Sequence, residues 1–383
     1  MGARATRAPR LLPCRQRLRH DGAPASVAPI RRRRFRSSTL QDAPIAAPTI
    51  AEVARLAGVS TATVSRALAQ PERVKARTRE RVIAAVAATG FIPNAQARNL
   101  RLQATRTVIL LVRDISNPFY LEIYKGVEEA AIDAGYKVLM GDARDDDERI
   151  LRYVDMVRER HADGLILMVG RFPEALAKRS RLPPIVVALE MLPGLNLPTV
   201  KVDNHAAARA AVAHLARLGH RRIAHIAGPM PDPMSLDRRD GYLAGLADAG
   251  IPADPDLVVE GDFGLAAGRA AIRTLAARGV DYSAIFAASD QMAVGAMGEL
   301  RARGRTVPDD VSVVGFDDIV LAEAVEPQLT TIHQPRREIG QAAMKLLIEQ
   351  LSGGGAPPDL VLPTRLVERG SAAAPTRRTD QGR

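Results

Sequence analysis

From Thr107 onward, short apolar runs alternate with longer amphipathic stretches, and no other feature of the sequence constrains the fold as tightly. TVILLV, KVLMGD, DGLILM, PIVVAL, TVKVD, RRIAHIAG, AIFAAS and VSVVGF have the length and β-branched content of buried strands. Between them, Phe119–Ala134, Asp147–Arg160, Ala206–Leu218, Gly241–Ala249, Ala267–Ala277 and Gln291–Arg303 carry helical spacing. The alternation predicts an α/β architecture of parallel sheets covered by helices on both faces. About ten strands are more than one compact sheet ordinarily holds, so two sheets, and hence two lobes, are expected.

The segment from Thr49 to Thr89 follows a different rule. Thr49 is placed to cap a helix over Ile50–Ala57, and Gly58 breaks it. Ser60 caps a second helix over Thr61–Ala69, which Pro71 ends. A third helix over Thr78–Thr89 has Val82, Ile83 and Val86 at helical spacing and Gly90 as its stop. Three short helices with a glycine turn between the first two predict an all-α helix-turn-helix unit over residues 48–92.

Charge is distributed unevenly along the chain. The formal net charge of +11 divides into +9 for residues 1–47, +7 for 48–107 and −5 for the remainder. Confining positive charge to the first quarter suits contact with a polyanion at one end only. Residues 1–47, rich in Arg, Pro and Ala and including the run Arg31–Arg34, read as a disordered basic tail. Three explanations of it stay open: a solvated tail that adds nonspecific DNA affinity, an organelle transit peptide, or a translation start set too far upstream. No early run of seven or more apolar residues resembles a secretory core, and no stretch has the length and apolarity of a membrane span. Cys14, the one cysteine, excludes an intrachain disulfide and a cysteine-ligated metal site.

The stretches TIAEVARLAGVSTATVSRAL (49–68) and TRERVIAAVAATGFIPNAQARNL (78–100) resemble the lactose/galactose-repressor (LacI/GalR) family. Similarity continues to about Arg369 through DISNPFY, DGLILM, LPTVKVDN, HRRIAHIAGP, SDQMAVGAM, VPDDVSVVGFDD and LTTIHQP. The resemblance implies a helix-turn-helix head, a hinge helix within 93–106, a periplasmic-binding-protein-like effector and dimerisation domain over 107–370, and a disordered tail over 371–383. It implies a bacterial, cytoplasmic, nucleoid-associated transcription regulator, a repressor by preference, that acts as a homodimer on a palindromic operator. Its wording leans toward nucleoside-responsive members, so a nucleoside or a sugar such as a pentose is the expected effector.

Residue by residue, Ala54, Leu56, Val59, Val64 and Leu68 form the expected core of the head, which leaves Thr61, Ala62, Thr63, Ser65 and Arg66 on the exposed start of the second helix. In helix-turn-helix proteins that start enters the major groove, where hydroxyls, a guanidinium and methyl groups meet base edges and phosphates. Thr49 joins this DNA-binding set. By resemblance, Asn94, Ala97 and Leu100 belong to a hinge helix that orders on DNA, with Leu100 wedged into the minor groove and Arg98, Arg101 and Arg106 serving phosphates.

In open α/β sheets ligands lie beyond the carboxyl ends of the strands. This points to Asn117, Phe119, Tyr120, Phe263 and Asp290, with Glu190 and Asp203 as secondary candidates. Asp290, which opens a helix, could accept from two sugar hydroxyls or merely share an N-cap with Ser289. The resemblance also implies Arg238 as a ligand-binding arginine, with Arg239 competing for the register. LTTIHQP is the expected last crossing between lobes. No HExxH, nucleophile elbow or phosphate-loop spacing occurs, so neither an enzyme nor a cofactor or metal site is expected. GDFGLAAG reads as a turn before a helix.

Overall fold

The computed structural model describes residues 48–92, 104–179, 181–190, 192, 195–354 and 359–376. The basic tail with Cys14, and the hinge positions Asn94, Ala97 and Leu100, lie outside the described residues. The chain divides into two units at Pro93.

The first unit contains α1 (Ile50–Ala57), α2 (Thr61–Ala69) and α3 (Ala76–Thr89). Thr49 caps α1 with a full capping box: its hydroxyl accepts from the Glu52 N–H, and the Glu52 carboxylate accepts from the Thr49 N–H. Ser60 caps α2 through the Thr63 N–H. Gly58, at φ 60°, turns the chain between the two helices, and Arg81 of α3 donates to the Ala57 and Gly58 carbonyls. The core is made by Val53, Ala54, Ala57, Val64, Ala67, Val82 and Ala85. Leu56 and Ile83 are not part of it; they are 54% and 55% exposed, because each neighbours an inward position on its helix rather than occupying one.

The second unit has two lobes. The first-lobe sheet is parallel, in the order β11 (Leu360–Leu362), β5 (Thr199–Val202), β4 (Ile185–Ala188), β3 (Gly164–Met168), β1 (Thr107–Val112), β2 (Lys137–Asp142). Its central strands are buried on both sides, which is why they read as unbroken apolar runs. Val108, Leu110 and Val112 face α4 (Phe119–Asp133) and α12 (Arg336–Leu351), while Ile109 and Leu111 face α5 (Asp147–Arg158). Helix α6 (Glu174–Ala177) is a single turn in the same lobe.

The second-lobe sheet is also parallel: β7 (Val258–Glu260), β6 (Ile223–Ala227), β8 (Ala284–Ala287), β9 (Ser312–Val314). Helices α7 (Asn204–Arg217) and α8 (Pro233–Asp248) cover one face, with α9 (Leu265–Arg278) and α10 (Asp290–Ala302) on the other. The short α11 (Val320–Ala324) packs beside α10. In both lobes paired helices approach through glycine. A Cβ on Gly126 or Gly340 would lie 2.0 or 2.1 Å from a carbonyl of the opposing α12 or α4, and Gly268 and Gly295 do the same between α9 and α10.

Sequence and structure differ at several elements. Helix α8 starts at Pro233, eight residues before the expected Gly241, because Pro233 is tolerated in the first turn. The strands β7, β10 (Thr331–His333), β11 and β12 (Arg365–Val367) are three residues each, too short to show periodicity. LTTIHQP is not the last crossing: after α12 and β11 in the first lobe, the chain returns as β12 to pair antiparallel with β10 beside the second-lobe core. Nor are residues 371–376 a loose tail. Ser371 is buried, donates to the Val313 carbonyl and accepts from the Thr330 N–H, and the Ala373 carbonyl meets His220.

Candidate effector and DNA-binding sites

The carboxyl ends of both sheets border one cavity of about 550 Å³ between the lobes. From the first lobe come Arg113 and Asn117 after β1, Phe119 and Tyr120 on α4, Arg144 and Asp145 after β2, and Leu189 and Glu190 after β4. The second lobe supplies Met234 and Arg238 on α8, Asp262 and Phe263 after β7, Gln291 on α10, and Asp317 after β9. Five non-glycine lining residues, Arg144, Asp145, Leu189, Phe263 and Asp317, have positive φ. Such strain is held only where surrounding packing over-determines it, and it clusters at ligand sites.

Arg238 is the best-fixed of these groups. Its side chain is 2% exposed, and its Nε donates to Asn204 Oδ1 at 2.9 Å and its Nη1 to the Ala288 carbonyl at 2.6 Å. The guanidinium lies 3.7 Å above the Phe316 ring, with Asp317 Oδ1 at 3.9 Å. Arg239 is partly exposed and pairs with Asp240, so Arg238 is the one of the two that lines the cavity. Burial raises the Asp317 carboxyl to about 6, partly countered by Arg238, Arg336 and a hydrogen bond from Gln334 at 2.8 Å.

The lobes also touch each other across the cavity. Arg113 of the first lobe forms an ion pair with Asp232, just ahead of α8 in the second, and lies 5.8 Å from the Phe263 ring centroid. Glu190 is 3% exposed; burial pushes its carboxyl up to about 7, against the pull of Arg113. Burial likewise raises the Tyr120 phenol.

Of the residues predicted from sequence, Asn117, Phe119, Tyr120, Glu190, Arg238 and Phe263 come together at this cavity. Asp203 and Asp290 do not. Asp203 is exposed and caps α7 through the Ala206 N–H. Asp290 is fully buried behind the wall, where Thr331 Oγ1 donates to one oxygen at 2.5 Å and the Ile319 N–H to the other at 2.8 Å. Its acceptor capacity is thus directed to tying α10 to the Asp317–Ile319 loop. The sequence reading missed Arg113, Asn204 and Asp317. Arg113 and Asp317 lie just beyond TVILLV and VVGF, where the strand-end rule already pointed.

In the head, Thr61, Ala62 and Arg66 are exposed on α2, and Thr63 and Ser65 are half-buried. Thr63 Oγ1 is 2.9 Å from Ser60 Oγ, so it both supports the helix start and borders the exposed face. Thr49 is spent on the capping box.

A compact three-helix DNA-binding head joined to a two-lobed domain with a ligand-sized interlobe cavity defines a ligand-responsive helix-turn-helix transcription regulator. Residues 49–94 match the family of bacterial regulatory proteins of the lacI type, and residues 212–372 match a periplasmic binding protein-like domain. The chain is 41% identical over 309 residues to the HTH-type transcriptional repressor CytR of Escherichia coli K12, covering 80% of this chain and 91% of that protein. It is 37% identical over 336 residues to the HTH-type transcriptional regulator CelR of Thermobifida fusca, covering 85% and 98%. Among solved structures, the lac repressor dimer bound to operator and the anti-inducer ONPF aligns with a TM-score of 0.76 at 28% identity, covering 85% of this chain and 99% of that one. The CelR–cellobiose complex aligns at 0.66 and 36% identity, covering 85% and 100%. The chain belongs to the LacI family: it is a DNA-binding transcription regulator under effector control, and its relatives are regulators rather than enzymes.

No helix among the described residues is long and apolar enough to cross a membrane, and no group of three or more metal-ligating side chains occurs among them.

Proposed function

We propose that this regulator is a homodimeric repressor of the bacterial cytoplasm and nucleoid that reads a two-fold symmetric operator, and that the interlobe cavity holds a sugar or nucleoside effector. The observation that carries this reading is the convergence of strand ends from both lobes on one cavity with aromatic walls, fixed guanidiniums and a buried carboxyl. Such a ligand touches both lobes at once, so binding changes their relative closure.

On the DNA side, Thr61, Ala62, Thr63, Ser65 and Arg66 read one half-site in the major groove. Asn94, Ala97 and Leu100 form the hinge contact at the operator centre. One recognition helix reads few base pairs, so two heads related by a dyad are needed for a useful specificity. Closure of the lobes alters the spacing of the paired hinges, which couples effector occupancy to operator affinity. On the effector side, Arg238, Glu190, Asn117 and Asp317 supply polar contacts, and Phe119, Tyr120 and Phe263 supply ring faces.

Selection of bound duplexes from a random pool by the full chain at physiological salt, with sequencing of the survivors, tests this reading. A two-fold symmetric motif with a deformable central step is expected. Recovery of only salt-sensitive, sequence-indifferent DNA contradicts it.

A further inference from the structure

The lining of the interlobe cavity is unbalanced in charge. Six carboxylates face it against three guanidiniums, and each guanidinium is already committed. Arg113 is paired with Asp232 and Asp145, and Arg144 donates to Asp142 at 2.7 Å. Arg238 serves Asn204, the Ala288 carbonyl and Asp317. A phosphate or carboxylate entering here would meet guanidiniums that already carry a carboxylate neighbour each, and an excess of negative charge, whereas an uncharged ligand meets acceptors that need donors.

Glu190 concentrates this requirement. It stands on the strap leaving β4, directly after Leu189 at φ 73°, and its side chain is shut off from solvent. One of its carboxyl oxygens, Oε2, has no hydrogen-bond partner among the described residues, although the residue lines the cavity. A buried polar atom left unpaired is unfavourable, so an oxygen of this kind in a cavity wall is a place for a ligand N–H or O–H.

We propose that Glu190 selects an uncharged effector bearing hydroxyl or amino donors, a free nucleoside or sugar, and rejects the phosphorylated or carboxylated form of the same molecule. The inference rests on the assignment of the cavity as the effector site, and it narrows the ligand class. The groups that face Glu190 fit it. Arg113 at the end of β1 and Arg238 on α8 favour its charged form, while Asp232 opposes it; the Tyr120 phenol of α4 borders it, and the Met234 backbone N–H supplies one hydrogen bond. With the carboxyl held near neutrality by burial, a ligand that donates to it must displace a proton at pH 6 but not at pH 8.

The test is isothermal titration calorimetry on the full chain with cytidine, uridine, adenosine, ribose and cellobiose. The nucleosides and ribose are each run beside the corresponding 5′-phosphate. The expected result is binding of at least one uncharged compound. Where its phosphate is in the set, the phosphate binds at least about a hundredfold more weakly, as like-charge juxtaposition in a buried site demands. The affinity of the uncharged ligand should rise about tenfold from pH 6 to pH 8. Glu190→Gln, which preserves shape, should narrow the phosphate gap about tenfold or more and remove most of the pH rise, leaving only the part due to Asp317. A wild-type chain that binds a phosphate as tightly as its parent overturns the inference while leaving the cavity as the effector site. An unchanged gap and pH rise in Glu190→Gln overturns the role of this residue. If no compound of either set binds while operator DNA is still held, the effector-site assignment fails and the inference fails with it.

Discussion

Replacing Arg238 by lysine keeps a positive charge near Asp317 but removes the planar fork, and the geometry sets the size of the effect. The guanidinium now satisfies Asn204 Oδ1 at 2.9 Å and the Ala288 carbonyl at 2.6 Å, and it stacks on Phe316 at 3.7 Å. One ammonium on an unbranched stem cannot reproduce both hydrogen bonds together with the stack. Leaving one buried acceptor unpaired costs about 1–3 kcal/mol, and losing a desolvated cation–π contact about 1–2 kcal/mol. Arg238→Lys should therefore destabilise the effector domain by about 2–5 kcal/mol, lowering its melting temperature by roughly 4–20 °C. Arg239→Lys is the internal control. Its side chain is partly exposed and, among the described residues, pairs with the adjacent Asp240, so it should stay within about 0.5 kcal/mol of wild type. Urea denaturation followed by circular dichroism, with calorimetric binding of the effector, reads both variants. If Arg238→Lys melts within about 0.5 kcal/mol of wild type and responds normally to effector, the assigned register and contacts are wrong.

Three other outcomes follow from named contacts. Gly58→Ala puts a Cβ at φ 60° and 2.5 Å from the Arg81 guanidinium that holds the α1 terminus, so the head should lose about 1–2 kcal/mol, read as weaker operator binding in gel-shift titrations. Gly126→Ala drives a Cβ to within 2.0 Å of the Arg337 carbonyl, forcing α4 and α12 apart at a cost of about 1–3 kcal/mol or more; the urea midpoint of the effector domain measures it. Without ligand, Glu190 and Asp317 contribute stability that is lost as pH rises from about 4.5 to about 7, while the buried His225, whose imidazole burial pushes down to about 4, contributes in the opposite sense up to about 6.5. Burial lifts Glu190 from 4.5 to about 7 and Asp317 from 3.8 to about 6, so between those limits the folded chain holds protons that the unfolded chain has lost. Above pH 7 this contribution is flat, and Glu190→Gln should shrink the slope in denaturation curves measured across that range.

The parts of the molecule that sequence made legible are those where one physical rule acts alone. Unbroken apolar runs such as TVILLV mark strands buried on both faces, and Thr49, Ser60 and Gly58 mark helix ends by backbone chemistry that needs no tertiary context. Legibility failed where tertiary contacts decided. Leu56 and Ala57 are both apolar neighbours on α1, yet only Ala57 faces α2 and α3. Strands β10 to β12 exist because the chain returns to pair them, and three residues carry no period of their own. The strand-end rule located the loops that border the cavity without choosing the side chains within them. Asp290 looked like a ligand because it opens a helix after a strand, but Thr331 and Ile319 claim its oxygens; Asp317, two residues beyond VVG, reaches the cavity instead. Asn204 was invisible because its role is to hold Arg238, a contact 34 residues away in sequence.

A small molecule in the interlobe cavity and a DNA site on the head should be thermodynamically coupled, and such coupling must be reciprocal. The affinity of the full chain for its selected operator would be measured with and without saturating effector, and the affinity for effector with and without saturating operator. The same factor is expected in both pairs, on the order of 5–150-fold, abolished when Arg238 is replaced. Equal operator affinities with and without a bound effector would contradict it.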